Sequence, residues 1–330
     1  MTPKPLPDGP RAVTRGWLKA VLGRSVGEVS LTRIGAAQGF TGGRLYRAAL
    51  SAGGSVVLKF APEDAAQRLR FSTANAREVA IYRDQGASLP GPACYFADAD
   101  AEFGNSLLVL EDLASADAVP FVKGLPKARA VSALLALAQV HAAHWARDDL
   151  AAQVAPGDFA RCWQEYPARL ADILPGLPLS PALRRMGDVL ASGETSPDRP
   201  VTLCHGDAQA DNIRFSDGRA LLFDWQFAGR GCGAGDVAYL LAGSLDPATR
   251  RKHERALLNS YLTALHAGGV RGYDRDDLIA DYQRGAMAKL RMSVLATVLM
   301  DNTGPAKRAW RQADLARLEA FVDDHAMAEV

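Results

Sequence analysis

Between Val201 and Asp224 the chain reads VTLCHGDAQADNIRFSDGRALLFD. An apolar run ends at His205-Gly206-Asp207, Asn212 follows five residues after Asp207, and a second apolar run, Leu221–Phe223, ends at Asp224. Carboxylate and amide oxygens are the ligands that Mg²⁺ accepts. A further carboxylate, free of the metal, can orient an attacking hydroxyl and take its proton. The set therefore fits phosphoryl transfer from ATP, where the protein's task is to position the groups and neutralise phosphate charge. His205 reads as a loop brace rather than a proton carrier. Cys204 has no base paired with it and reads as strand core rather than nucleophile.

These groups must be delivered by strand ends. Val201–Cys204, Ile213–Phe215 and Ala220–Phe223 read as short strands, the last two joined as a hairpin through Ser216–Arg219 with its Asp-Gly pair. Upstream, Val29–Ile34, Leu45–Leu50 and Ser55–Phe60 read as strands. Alternation along Ser55–Phe60 puts Val57 and Lys59 on one face and Val56, Leu58 and Phe60 on the other. A lysine on such a strand is costly to bury unless paired, and Glu78 in the following helical stretch, Ala61–Gln85, is the candidate partner. A glycine-punctuated loop with Gly35, Gly39, Gly42 and Gly43 joins the first two strands, where it can cover phosphates or be a plain connection. Ala93–Ala97 and Ser106–Leu110 complete the β-rich part.

After Leu113 the texture turns helical: Pro126–Arg147, Arg161–Leu174, Pro181–Ser192 and Pro247–Met327. Strands first and helices afterwards predict an α+β fold rather than a doubly wound sheet. The division falls near 112, giving a β-rich unit over 1–112 and a helical one over 113–330 that carries the hairpin. Asp236 opens an apolar helix and is expected to cap its exposed N–H groups.

The Asp-Asn spacing of five followed by a metal-binding Asp is that of protein kinases. With Gly206 before Asp207, HGDxxxxN and a strand ending in Asp resemble the aminoglycoside phosphotransferase and choline kinase superfamily. LALAQVHAAHW (Leu135–Trp145) is similar to that superfamily's LAxLHAxxW helix. The resemblance implies a two-lobed protein-kinase-like fold with a small β-rich N-lobe and a larger, mainly helical C-lobe. It implies Asp207 as catalytic base, Asn212 and Asp224 as Mg²⁺ ligands, and Lys59 on the α/β-phosphates with Glu78 pairing it. Gly39, Gly42 and Gly43 would cover the nucleotide, and the backbone of Glu111, Asp112 and Leu113 would pair with adenine. The Asp matching Asp236 stabilises the catalytic loop in the family.

The implied activity is an ATP- and Mg²⁺-dependent kinase acting on a small-molecule hydroxyl. The surroundings of Asp207 also resemble the ecdysteroid-kinase-like and choline-kinase-like branches. The alternatives are an antibiotic-resistance phosphotransferase and a regulatory pseudokinase, the latter disfavoured because Lys59, Asp207, Asn212 and Asp224 are all retained. Only 11 residues separate Asp224 from Asp236, too few for a protein kinase's peptide platform.

Bulk properties narrow the partners. A net charge of +1 with interspersed signs gives no footprint for nucleic acid or a membrane surface. The longest apolar run, Ala128–Trp145, is broken by Gln139, His141 and His144, so no membrane span is expected. His141 and His144 read as satisfied helix histidines. The proline-rich start, Met1–Arg15, lacks a signal-peptide core. The four dispersed cysteines read as reduced thiols, so a cytoplasmic setting is expected. From Asp246 onward 12 acidic residues face 13 basic ones, which does not favour a polycationic acceptor.

Overall fold

A computed structural model describes residues 6–35, 42–100, 102–153, 157–193 and 200–325. It divides into two compact units, one of Met1–Ala116 with Phe223–Phe227, the other of Asp117–Leu222 with Ala228–Val330.

The first unit is built on a five-stranded antiparallel sheet. Its strands are β1 (Val29–Ile34), β2 (Arg44–Leu50), β3 (Ser55–Phe60), β4 (Cys94–Asp100) and β5 (Asn105–Glu111), in the order β1-β2-β3-β5-β4. Helix α1 (Arg15–Leu22) starts where Thr14 Oγ1 accepts from Trp17 N and stops at Gly23, φ +65°. One sheet face forms a core of Ala48, Leu50, Val56, Leu58, Phe60, Leu107 and Val109 around Leu18 of α1. Val57 and Lys59 occupy the other face, as the alternation requires.

The stretch expected as one helix over Ala61–Gln85 is two: α2 (Ala65–Arg70) and α3 (Ser72–Gln85). Pro62 disfavours helical geometry at Ala61, Asp64 caps α2 by accepting from Gln67 N at 2.8 Å, and buried Phe71 leaves helical geometry between the two helices. The segment Phe223–Phe227 contributes a 3₁₀ turn, Trp225–Phe227, whose fully buried Trp225 packs beside α3.

The second unit is mainly helical: α4 (Lys127–Ala143), α5 (Phe159–Ile173), α6 (Pro181–Ser192), then α7 (Gly233–Ser244), α8 (Pro247–Ala267), α9 (Arg275–Leu299) and α10 (Pro305–Asp324). The span read as continuously helical from Pro247 is thus three helices, started by Asp246, by an Asp274–Asp277 capping box, and by Gly304-Pro305. Helices α7 and α9 pack along each other and α4 packs on α8.

Between α6 and α7 lie β6 (Thr202–Cys204), the hairpin β7 (Ile213–Ser216) and β8 (Arg219–Leu222), and β9 (Gly229–Gly231), which pairs with β6. The hairpin turn has Asp217 and Gly218 at φ +50° and +76°, the mirror-image turn that Asp-Gly favours. Strand β9 was not foreseen. Its Gly-Arg-Gly has no apolar alternation, and Gly229 is required because a Cβ there would lie 2.6 Å from Gln153 N. Among the described residues no helix is long and apolar enough to cross a membrane.

Candidate active site

In the first unit, Lys59 of β3 reaches Glu78 of α3 at 2.8 Å and Asp224 at 2.7 Å. Strand alternation turns Lys59 off the apolar face, and the chain presents Asp224 in a left-handed conformation, φ +69°. That backbone costs about 1–3 kcal/mol for a non-glycine residue and is a mark of functional positions. One ammonium therefore serves two carboxylates. Burial works against the Lys59 charge, yet Asp224 and Glu78 outweigh it and raise its pKa above the ordinary value. Burial pushes the Glu78 carboxyl up to about 7; Lys59 opposes this and the charge of Asp224 adds to it. The cluster is one positive charge short. Lys59 and the amide of Gln226, a residue no motif selects, both donate to Asp224 Oδ1. Asp224 Oδ2 has no hydrogen-bond partner among the described residues.

In the second unit, β6 ends at Cys204 and the loop turns at Gly206, φ +79°, a conformation that favours glycine. Asp207 follows. The Asn212 amide donates to Asp207 Oδ2 at 2.8 Å and to its main-chain oxygen at 2.9 Å. The five-residue spacing is thus a closed loop whose ends are tied by the two residues it was selected for. With the amide nitrogen spent, Asn212 Oδ1 is left without a partner among the described residues. Asp207 Oδ1 accepts from the hydroxyl of Tyr239 at 2.6 Å. His205 braces the loop, its Nδ1 accepting from Asp207 N at 3.3 Å.

Asp236 sits in the first turn of α7, but it does not cap that helix. Its carboxylate accepts from His205 N at 2.5 Å and Gly206 N at 3.0 Å, so the N–H groups it satisfies belong to the loop. Burial alone would raise its pKa; the bond from His141 and the pull of His205 outweigh that and hold it below the usual range. Further along α7, Ser244 Oγ accepts from Ala210 N at 2.9 Å. The indole of Trp310 donates to Asp211 at 2.8 Å. Tyr239, Ser244 and Trp310 escaped the sequence reading, since each looks like ordinary helix core or surface until the helices are packed.

Gly42 and Gly43 lead into β2, and Gly42 has φ +68° with Gln67 so close that a Cβ would lie 2.6 Å from Oε1. Gly39 lies outside the described residues. Glu111 ends β5, its N–H donating to Ala93 O at 2.8 Å. The Asp112 side chain is fully engaged inside its own unit: Arg47 donates at 2.5 and 3.2 Å, Ser55 at 2.6 Å and Ala114 N at 3.1 Å. Leu113 N–H has no partner among the described residues, which suits a backbone donor.

The two helix histidines do not act together. His141 Nδ1 meets Tyr261 Oη at 2.8 Å and its Nε2 meets Asp236 at 3.2 Å, while His144 Nδ1 meets Val140 O at 2.9 Å. His141, Cys204 and Asp236 bring ligand-type atoms within 4.8 Å of one another. Both ring nitrogens of His141 are hydrogen-bonded, and burial raises the Cys204 thiol well above its usual pKa, so the group braces the loop.

A family model described as "Phosphotransferase enzyme family" matches residues 37–279. No curated protein matches the chain. Among solved structures it is similar to a candidate aminoglycoside phosphotransferase of Ralstonia eutropha JMP134, with TM-score 0.56, 15% identity, and 94% of this chain and 97% of that one covered. Choline kinase LicA of Streptococcus pneumoniae gives TM-score 0.54 and 16% identity over 92% of this chain and 96% of that one. A choline/ethanolamine kinase family protein of Mesorhizobium loti gives 0.53 and 18% over 95% and 96%. At such identities the likeness carries the fold alone. The α+β, protein-kinase-like fold and the superfamily resemblance expected from the sequence are borne out.

Proposed function

Because the chain belongs to the phosphotransferase enzyme family, we propose that it moves the γ-phosphate of Mg-ATP to a hydroxyl group of a small molecule. The observation that carries this lies in the second unit, where Asp207 is held at both carboxylate oxygens by Asn212 and Tyr239. Asn212 Oδ1 in the second unit and Asp224 Oδ2 in the first are each the kind of hard oxygen that Mg²⁺ accepts, and each is assigned as a ligand. Bound at Asp224, the ion would neutralise phosphate charge and offset the excess negative charge around Lys59. Lys59 contacts the α/β-phosphates, with Glu78 holding its ammonium in place. Gly42 and Gly43 let the backbone approach the nucleotide, and Gly39 is assigned the same role. The backbone of Glu111, Asp112 and Leu113 receives adenine. Asp207 orients the acceptor hydroxyl and takes its proton as the phosphoryl group leaves ADP. His205 and Asp236 keep the loop's main chain fixed meanwhile. A requirement for ATP and the buried thiols of Cys162 and Cys204 suit the cytoplasm.

The test is an ADP-release screen with Mg-ATP against alcohols, amino alcohols, sugars, sterols and antibiotics. Acceptor-dependent ADP release that vanishes in Asp207→Ala is expected. Absence of any metal-dependent ATP binding would refute the reading.

A further inference from the structure

Asp207 is gripped from a direction that the sequence pattern did not suggest. Helix α7 presents Asp236 and, one turn later, Tyr239 to consecutive loop residues: Asp236 takes the N–H groups of His205 and Gly206, and Tyr239 donates its hydroxyl to Asp207 Oδ1 at 2.6 Å. With Asn212 on Oδ2 at 2.8 Å, each carboxylate oxygen has its own donor. A carboxylate bonded at one oxygen can still turn about its last torsion; one bonded at both, from different elements, cannot without breaking a bond.

Behind Tyr239 lies an unusual support. Lys289 of α9 is 1% exposed, and its ammonium sits 4.7 Å from the centre of the Tyr239 ring. It pairs with Asp314 of α10 at 2.6 Å, and Ser293 donates to the same carboxylate at 2.7 Å. A buried ion pair is weak as a stabilising device, since apolar residues of similar volume often serve as well or better. A cation over a phenol ring is attracted to it and draws electron density from it, which strengthens the O–H as a donor. The charged groups around Tyr239 are Asp207 on the loop, Lys289 on α9, and Asp314 and Arg311 on α10.

We propose that Tyr239 is a positioning residue for the proposed phosphoryl transfer, fixing the orientation of the Asp207 carboxylate, and that the Lys289–Asp314 pair supports it. The inference rests on the kinase reading for its kinetic consequence, but its structural half stands apart.

The tests are Tyr239→Phe, Lys289→Met and the double variant. ADP release is measured with the best acceptor from the panel, or with water as acceptor, and nucleotide affinity with a fluorescent ATP analogue. In Tyr239→Phe kcat should fall about 10- to 100-fold, the penalty for a misaligned reacting group. KM for ATP and analogue affinity should stay within about twofold, a split that general loosening of the fold would not give. Lys289→Met should lower kcat by a smaller factor in the wild type and not further in the Tyr239→Phe background. Wild-type kcat in Tyr239→Phe, or losses that multiply in the double variant, would overturn the proposal. Should Tyr239→Phe fail to fold, Lys289→Met and Asp314→Asn carry the same kcat-only expectation. If the wild type shows no Mg-ATP binding, the kinase reading fails first. Crystal structures of the wild type and Tyr239→Phe then decide the structural half, an Asp207 carboxylate unmoved by the substitution counting against it.

Discussion

Asp207 and Asp224 are both aspartates ending apolar runs, yet their surroundings differ. Asp207 has a donor on each oxygen, while Asp224 shares a lysine with Glu78 and keeps Oδ2 unspent. Their removal should therefore fail in different ways. Asp207→Ala is expected to lower turnover by about 10²- to 10⁴-fold, the range for loss of a general base, with ATP-analogue affinity retained; equilibrium titration beside steady-state kinetics checks both. Asp224→Ala should weaken Mg-ATP binding itself by about tenfold or more, or ~1.4 kcal/mol, measurable by calorimetric titration. A variant at Asp207 that lost affinity but not rate would reverse the assignment.

At the scale of elements, α7 is the organising piece of the second unit, since its Asp236, Tyr239 and Ser244 all bond the loop from His205 to Ala210. Helices α9, α4 and α10 pack against it, and α5 and α6 pack in turn on α9. Helices α5 and α6 meet where Gly187 faces the Trp163 ring so closely that a Cβ would lie 2.1 Å from it. Gly187→Ala should therefore cost about 1–3 kcal/mol through overpacking, seen in urea unfolding. Helices α8, α9 and α10 close around Glu254, which accepts from Arg250 at 2.8 Å and Tyr282 at 2.6 Å and meets His325 at 3.2 Å. Burial would raise this carboxyl, but the bonds from His325, Tyr282 and Arg250 bring it down to about 2 from 4.5. A depressed carboxylate stabilises the fold above its unfolded pKa and loses that stabilisation as pH falls from about 4.5 through about 2, a swing of about 3 kcal/mol. Glu254→Gln should thus be less stable than the wild type at pH 7, and the two should converge near pH 2. A constant difference across that range would place the effect elsewhere.

For the whole molecule, a ligand that binds only the folded chain must stabilise it. Mg-ATP at 100 times its Kd should add about 2.7 kcal/mol and raise the unfolding midpoint with concentration. Chelating Mg²⁺ should remove most of that gain, and Asp224→Ala should show less of it than Asp207→Ala. Differential scanning fluorimetry across an ATP titration, with and without chelator, reads all three. Equal shifts with and without Mg²⁺ would rule out a metal-dependent donor site.

Much of this was legible in the residues. Local rules reach as far as the chain's own neighbours: strand alternation placed Lys59 off the apolar face, Asp-Gly specified the hairpin, and HGDxxxxN tied Asp207 to Asn212 across five residues that fold back on themselves. The family followed from the same stretch. The rest depends on contacts between residues far apart in the chain, which composition and spacing do not encode. Asp236 looked like a helix cap because it stands near a helix start; the family resemblance pointed it at the catalytic loop, and packing supplied the bonds to His205 N and Gly206 N. Gly229–Gly231 became a strand only because β6 lay beside it. Tyr239, Lys289 and Asp314 are three unremarkable helix residues until α7, α9 and α10 meet; then the low dielectric they share makes every unpaired charge costly, and the pairing they adopt ends at the carboxylate of Asp207.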